Sequence, residues 1–348
     1  MLMGIETSPS AKSGVEQYRR DDERELAQEK AVLERTSVVG SSATTSSSQA
    51  EEIGSVLVKQ RLKKLKELEA TNQELKSRLN EDFSSFEKSI TRTIRQITAV
   101  KDNVNTKINE IVKIFKDPRC PLSISIAAFA KRMVYNGERV PFGSSYVIVH
   151  VTSMFPQAMD ILLAEFHKAC IYTAPNHIAN SDQSVWDSPD SYERLDSIMK
   201  LYGALVQEDI HGGNATNMHG IEHGWTWLTQ FVNNTSTNNN NIANAIALNA
   251  FLQTAGFGLH QRYKSQFVNV VNDVGEQILK KLRSEKGEQI FKKGEMIIAK
   301  ITAYLDDQMY LKEPEGRTMK TSLFSTSLLP ELEQHYQRLI TNSEEYKT

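Results

Sequence analysis

Hydrophobic positions between residues 51 and 116 follow the spacing of a helix that buries one long stripe. The first part of the stripe alternates at three and four residues, as the seam of a coiled coil does, among charged and amide neighbours. The seam positions are Leu65, Leu68, Asn72, Leu75 and Leu79. The stripe continues to Ile114, and neither Gly nor Pro occurs from Ser55 to Lys116. We therefore expect one long helix or two abutting helices, with Asn72 as the polar position that sets the register.

Residues 117–345 carry a different pattern, that of several shorter helices. Apolar residues recur at three- to four-residue spacing in segments of roughly 12 to 20 residues, separated by short breaks rich in Gly, Pro, Asn or Ser. The alternation typical of strands is confined to one isolated run, 146–151. The pattern predicts an all-α domain of stacked helix pairs. It also predicts a loop at 238–241, low helicity over 314–329 and a last short helix at 330–340.

Residues 1–50 are polar and charged and end in a Ser/Thr-rich run, in which nine of the thirteen positions 36–48 are Ser or Thr. Such a segment buries too little apolar surface to offset its ordering entropy. We therefore expect three parts: a disordered segment 1–50, a long helix or coiled coil 51–116, and an all-α domain 117–345.

Charge and cysteine content limit the class of protein. The chain has 41 basic and 43 acidic residues, a net charge of −2, so a site for a polyanion has to be a local cluster of cations. Cys120 and Cys170 cannot form a disulfide framework, and neither belongs to a CxxC pair. The N-terminus lacks the features of a secretory signal, and no uninterrupted apolar run approaches the length of a membrane span. We expect a protein of a reducing compartment without membrane insertion.

One motif points to a metal. His219, Glu222 and His223 match the inverted zinc-protease pattern H-x-x-E-H, in which two histidines bind zinc and the glutamate is the base. Gly220 and Gly224 interrupt the helix that this site needs, and no third ligand is evident. The alternative is that the histidines satisfy backbone groups at a helix start.

Two further motifs have both a chemical and a structural interpretation. Trp225, Trp227 and Phe231 could stack on bases, but their helical spacing favours a core position. Cys170, with His167 and His177 nearby, could be a nucleophile, but no oxyanion-hole signature accompanies it. Because phosphate-binding loops and nucleophile elbows are also missing from the sequence, we expect neither an enzyme nor a direct nucleic-acid site.

Cations cluster in three places. Lys131, Tyr135 and Arg139 have the i, i+4, i+8 spacing of one helix face. Lys168 follows a strongly apolar helix. A third group comes from the end of the long helix and consists of Lys88, Arg92 and Arg95. Each group alone is typical of a solvated face; if the helices converge, they form a pocket for a compact polyanion.

Four blocks resemble a known family. The run His219-Gly-Ile-Glu-His-Gly-Trp-Thr-Trp-Leu228, preceded by Tyr192–Tyr202, is similar to the C-terminal domain of the Gle-one family of mRNA-export mediators. The phrases AFAKRMVYNGERV and AEFHKACIY match two further blocks of that family in the same order. The resemblance covers roughly residues 55–325, including the predicted coiled coil.

The resemblance implies a HEAT-like, MIF4G-like helical-repeat domain after a coiled coil, without catalytic activity of its own. It implies a protein at the nuclear envelope, on the cytoplasmic face of the nuclear pore complex, and also in the cytoplasm. There the family stimulates the ATPase of a DEAD-box RNA helicase that remodels exported mRNPs, with inositol hexakisphosphate as a tether. An FG-repeat nucleoporin, translation factors and self-association through the coiled coil are further partners that it implies. The alternatives are a helical adaptor without helicase activation, or a zinc hydrolase.

The resemblance also suggests where the inositol phosphate binds. The family's lysine, histidine and lysine on one helix correspond to Lys131, Tyr135 and Arg139, and two later lysines correspond to Lys168 and Ala169. A looser correspondence adds Lys88, Arg92 and Arg95. We expect these cations to bind phosphate, with Tyr135 donating a hydrogen bond and Ala169 marking a lost charge.

Overall fold

The structure, a computed structural model, describes residues 45–79, 81–174, 188–209, 216–237, 242–284 and 288–321. These residues contain eleven α-helices, and the all-α prediction is confirmed. In chain order they are α1 (Thr45–Leu79), α2 (Ser84–Arg95), α3 (Lys101–Phe115), α4 (Leu122–Asn136), α5 (Pro141–Met154), α6 (Gln157–Ala169), α7 (Pro189–Gln207), α8 (Ile221–Thr237), α9 (Ile242–Tyr263), α10 (Ser265–Ser284) and α11 (Glu288–Asp306). The described residues form no β-strand, only an isolated bridge between Val100 and Lys320. The predicted loop 238–241 and helix 330–340 lie outside the described residues.

The predicted long helix is divided into three helices. The first break follows Leu79, where the Asp82 carboxylate accepts hydrogen bonds from the backbone N–H and the hydroxyl of Ser84, the first residue of α2. The second break lies between α2 and α3, where the Asn103 side chain accepts from Thr98 N–H and donates to Gln96 C=O. Neither break needs Gly or Pro, because short polar side chains satisfy the freed backbone groups. Helix α1 begins at Thr45, six residues before the predicted boundary.

The stripe on α1 is partly buried within the same chain. Helix α1 packs on α6 and α4. Leu65 is buried there, and the buried Asn72 donates its amide N–H to Ser123 C=O at the start of α4. Leu79, at the end of the stripe, stays exposed. Asn72 therefore sets the register of α1 against its own domain.

Two charged contacts fix α1 on α6. Asp160 of α6 accepts from Arg61 Nε at 3.3 Å and from Lys64 Nζ at 3.2 Å. The Arg61 side chain is only 7% exposed, so the carboxylate of Asp160 helps to balance a nearly buried charge.

The core is centred on α7 and α9. These two helices share the largest interface of the described fold, and small residues let them approach closely. At Gly203 a Cβ atom would collide with the Thr254 hydroxyl and lie 3.0 Å from Phe251 C=O, so only glycine fits. Helix α9 is apolar on all sides and passes a length and hydropathy test for a membrane span, but 78% of that window is buried among the other helices.

The one strand-like run of the sequence forms a helix, because both of its faces are buried. The run 146–151 lies in α5, whose residues from Phe142 to Val151 are nearly all buried. Pro141 at the first turn starts this helix, and burial outweighs the modest helix penalty of its β-branched residues.

The C-terminal described segment returns to the start of the domain. Lys101 N–H donates to Lys320 C=O at 2.9 Å, and Lys320 N–H donates to Ala99 C=O at 3.0 Å. Nearby, Arg317 Nε donates to the Gln207 side chain at the end of α7 at 2.7 Å. These bonds hold residues 312–320, which are not helical, against the turn between α2 and α3.

Candidate functional site

Helices α4 and α6 bring two of the predicted cations together. Lys131 and Tyr135 are exposed and one turn apart on α4, and Lys168 is in the last turn of α6, which packs on α4. Both lysines are close enough to the buried carboxyl of Glu165 to act on its pKa. Burial raises its pKa, and the charges of Lys168 and Lys131 oppose that rise.

The Lys168 ammonium is held by a carboxylate from a different helix. Its Nζ lies 2.7 Å from Glu69 Oε1 of α1, and both side chains are a little over 40% exposed. The hydrogen bond to Glu69 raises the pKa of Lys168. Sequence reasoning missed Glu69, because Glu69 and Lys168 are 99 residues apart.

Arg194, a cation that the sequence analysis did not single out, lies close to Tyr135. The Arg194 guanidinium of α7 lies over the Tyr135 ring, with Cζ 4.9 Å from the ring centroid. Tyr135 is 39% exposed, and it lies on α4 one turn after Lys131. We call Lys131, Tyr135, Lys168 and Arg194 the basic face.

Arg139 is not on the same helix face as Lys131 and Tyr135, contrary to the predicted spacing. Helix α4 ends at Asn136, and Gly137–Arg139 form a 3₁₀ turn. The turn is held by Ser144 Oγ, which donates to Gly137 C=O at 2.7 Å. Arg139 is therefore exposed on a turn beside the basic face, next to Glu138.

The α2 cations form a separate group. Lys88, Arg92 and Arg95 are exposed along one face of α2. Arg95 Nε donates to Asn136 Oδ1 at 3.3 Å, which joins the end of α2 to the end of α4. Within the described residues, no hydrogen bond or ion pair joins Lys88 or Arg92 to the basic face.

Ala169 points away from solvent. It is 6% exposed at the end of α6 and belongs to the hydrophobic core. A charged side chain at this position would have to leave the core, so the alanine fits its surroundings.

The two histidines of the metal motif pack on each other. The His219 and His223 rings are 4.3 Å apart, and His219 Nε2 is 3.1 Å from the Tyr202 hydroxyl. Burial, and then the charge of His223, lower the pKa of His219 well below its ordinary value. Within the described ranges, no group of three or more His, Cys, Asp and Glu side chains could hold a metal. The arrangement is that of a core pair beside Tyr202.

The structure favours the core interpretation of the aromatic and cysteine motifs over the chemical one. Trp227 and Phe231 are buried, and Trp227 Nε1 donates to Tyr172 C=O at 2.8 Å. Trp225 is half-buried and stacks on Tyr263 at 4.3 Å. Burial raises the pKa of Cys170 to about 12, which leaves its thiol protonated and unreactive. His177 lies outside the described residues.

A polar cavity of about 600 Å³ opens on another part of the domain. It is lined by acidic, basic and amide side chains, among them Glu208, Asp209, Asn217, Glu222, Arg262 and Arg317. Burial raises the pKa of Glu208 to about 7, although Ser145, whose Oγ is 2.6 Å from its carboxyl, and Arg317 oppose the rise. Asn217 donates to Leu205 C=O and Glu208 C=O and so caps the end of α7 above this cavity.

Comparisons with known proteins point in one direction. The model of the GLE1-like protein family matches residues 58–188 and 179–274. An Arabidopsis thaliana protein named mRNA export factor GLE1 is 66% identical over 293 residues, which are 82% of this chain and 47% of the relative. The Danio rerio mRNA export factor GLE1 is 23% identical over 227 residues, 57% of this chain and 30% of the relative. The chain thus spans about half the length, or less, of these curated relatives.

Solved structures match over most of the domain. A chain in the complex of the Saccharomyces cerevisiae Dbp5 C-terminal domain bound to Gle1 and IP6 has a TM-score of 0.56 at 14% identity. The match covers 76% of this chain and 97% of that chain. A second complex, which contains a substituted Gle1, gives a TM-score of 0.58 with the same identity and coverage. At this identity the likeness concerns the fold.

Proposed function

The chain belongs to the GLE1-like protein family, and from this we propose that it is an mRNA export factor that binds a DEAD-box helicase and stimulates its ATPase. Inositol hexakisphosphate binds between the two proteins in this proposal. The family is not one of enzymes, in agreement with the sequence, so ATP chemistry stays on the helicase. The proposed place of action is the cytoplasmic face of the nuclear pore complex.

The observation that carries the proposal is the convergence of Lys131, Tyr135 and Lys168 on adjacent helices of this fold. Two cationic surfaces repel, and a dense polyanion between them removes that repulsion and adds charge-assisted hydrogen bonds. The solved complexes that share this fold contain IP6 together with a helicase domain, which supports the same arrangement here.

In this proposal Arg139 extends the basic face from its exposed turn, and the α2 cations Lys88, Arg92 and Arg95 add long-range attraction. An FG-repeat nucleoporin and self-association through exposed parts of α1 are further proposed interactions. In this proposal both use surfaces other than the basic face.

The test is the ATPase rate of the DEAD-box export helicase from the same source, with this chain, with and without inositol hexakisphosphate. The site variant is Lys131→Gln/Arg139→Gln/Lys168→Gln. The matched control is Lys280→Gln/Lys300→Gln/Lys312→Gln, which removes three exposed cations from the C-terminal part of the domain. We expect stimulation that rises with the ligand, is retained by the control and loses its ligand dependence in the site variant.

Two other outcomes have definite meanings. Stimulation that ignores both the ligand and the site variant keeps the activator role and removes the tether. Absence of stimulation by the folded wild-type chain contradicts the proposal and favours a helical adaptor without helicase activation.

A further inference from the structure

Among the residues that the structure describes, Arg194 forms no ion pair, and its one close contact is with an aromatic ring. It is exposed on the first turns of α7, and its guanidinium lies 4.9 Å from the centroid of the Tyr135 ring. Among the described residues, no carboxylate lies within 4.0 Å of it. A guanidinium stacked on an aromatic face keeps its edge N–H groups free, and these can donate in parallel to two oxygens of one phosphate.

Arg194 adds a third cation to the neighbourhood of Tyr135. Lys131 and Lys168 both act on the carboxyl of Glu165, and the Tyr135 phenol is close enough to Lys168 to affect its pKa. Burial raises the pKa of Glu138, the neighbour of Arg139 in the chain, and the charge of Arg194 opposes that rise. Cations of α4, α6 and α7 thus lie near one exposed phenol ring.

We propose that Arg194 is a further phosphate-binding residue, which binds an inositol polyphosphate together with Lys131 and Lys168 across the Tyr135 ring. This inference rests on the proposed function, because it assigns another residue to the same site. Tyr135 positions Arg194 by the stack and keeps its side chain extended over the surface. Both flanking cations are exposed to solvent, so the ligand reaches all three without rearrangement of the core.

A packing role for Arg194 makes a different prediction from a binding role. If it only covers the Tyr135 ring and does not contact the ligand, its removal changes stability and weakens binding only through its screened long-range charge, an effect that fades at high salt. If it contacts phosphate, its removal weakens binding and also reduces the number of counterions released. The dependence of log Kd on log salt concentration measures that number directly.

The experiment is calorimetric titration of the whole chain with inositol hexakisphosphate at four salt concentrations. The variants are Arg194→Gln, Arg194→Lys, Lys131→Gln and the exposed control Lys280→Gln. We expect Arg194→Gln to weaken binding about 5- to 20-fold, as the loss of one charge-assisted contact should, and to lower the salt slope by about one, like Lys131→Gln. Arg194→Lys should keep the slope, and Lys280→Gln should bind like wild type.

Two results overturn the inference in different ways. If Arg194→Gln keeps the wild-type affinity and slope while Lys131→Gln loses both, Arg194 is not a binding residue and the proposed site stands. If the folded wild-type chain does not bind inositol hexakisphosphate, the tether in the proposed function is lost together with the inference.

Discussion

Glu69 competes with any anion for Lys168, and its removal should strengthen ligand binding. The Glu69 carboxylate lies 2.7 Å from the Lys168 ammonium, at the edge of the basic face. It therefore occupies a cation that a phosphate would contact, and it also repels the ligand. Glu69→Gln keeps the size of the side chain and removes only the charge.

The magnitude follows from simple electrostatics. A carboxylate about 7 Å from a ligand with about six negative charges weakens its binding by ~1.5 kcal/mol at a Debye length of about 8 Å, which is roughly tenfold in affinity. Release of Lys168 from its half-exposed ion pair with Glu69 adds at most ~0.5 kcal/mol to this gain in binding free energy, because exposed ion pairs contribute little. For the same reason Glu69→Gln should scarcely change the stability of the fold.

The assay is titration with inositol hexakisphosphate at low and at high salt. We expect Glu69→Gln to bind about tenfold more tightly at physiological salt, with the gain shrinking as salt rises. The control is Glu67→Gln, on the same helix, whose carboxylate pairs with Lys63 at 3.7 Å in an exposed position. If Glu69→Gln binds no more tightly than Glu67→Gln at low salt, Glu69 does not face the ligand and the assigned site is misplaced.

Three further predictions concern the fold. Gly203→Ala should lower the free energy of unfolding in urea by about 1–3 kcal/mol, because the added Cβ meets α9. The control Gly294→Ala has no described atom within 4 Å of its Cβ and should be neutral or stabilising. Equal losses in the two variants would contradict the close approach of α7 and α9. Asp160→Asn should cost about 1–3 kcal/mol, since it leaves the nearly buried Arg61 without that carboxylate, and an unchanged melting temperature would contradict this. Because the pKa of Glu208 is raised from 4.5 to about 7, the folded state binds the extra proton, and its contribution to stability is complete below pH 4.5 and lost as pH rises toward 7. Glu208→Gln should therefore remove a decline of at most about 3 kcal/mol between these pH values, and unfolding curves with parallel pH profiles for variant and wild type would rule this out.

The all-α class could be predicted because a helix that buries one face carries an apolar residue at nearly every turn. Leu65 and Asn72 are buried as their spacing requires. The spacing does not say what covers the stripe, however. A coiled-coil partner and the chain's own α4 and α6 demand the same pattern from α1, and only the tertiary structure distinguishes them.

The candidate site was predictable only where its members share one helix. Lys131 and Tyr135 are one turn apart, so their common face follows from local geometry. Arg194 and Glu69 reach the same place from α7 and α1, and nothing in their own neighbourhoods in the sequence marks them. The predicted helical spacing of Arg139 was wrong because α4 ends before it, at a 3₁₀ turn that accepts a hydrogen bond from Ser144 of the next helix.

The backbone bridge between Val100 and Lys320 changes how the stack responds to mechanical load. An open helical stack peels from its ends, one repeat at a time, since each unit contacts only its neighbours. Here residues 99–101 and 320 are joined by two hydrogen bonds, and Arg317 is joined to α7. A force applied between the two ends of the chain must break these two hydrogen bonds before it can extend α3 to α11, which lie between the joined positions.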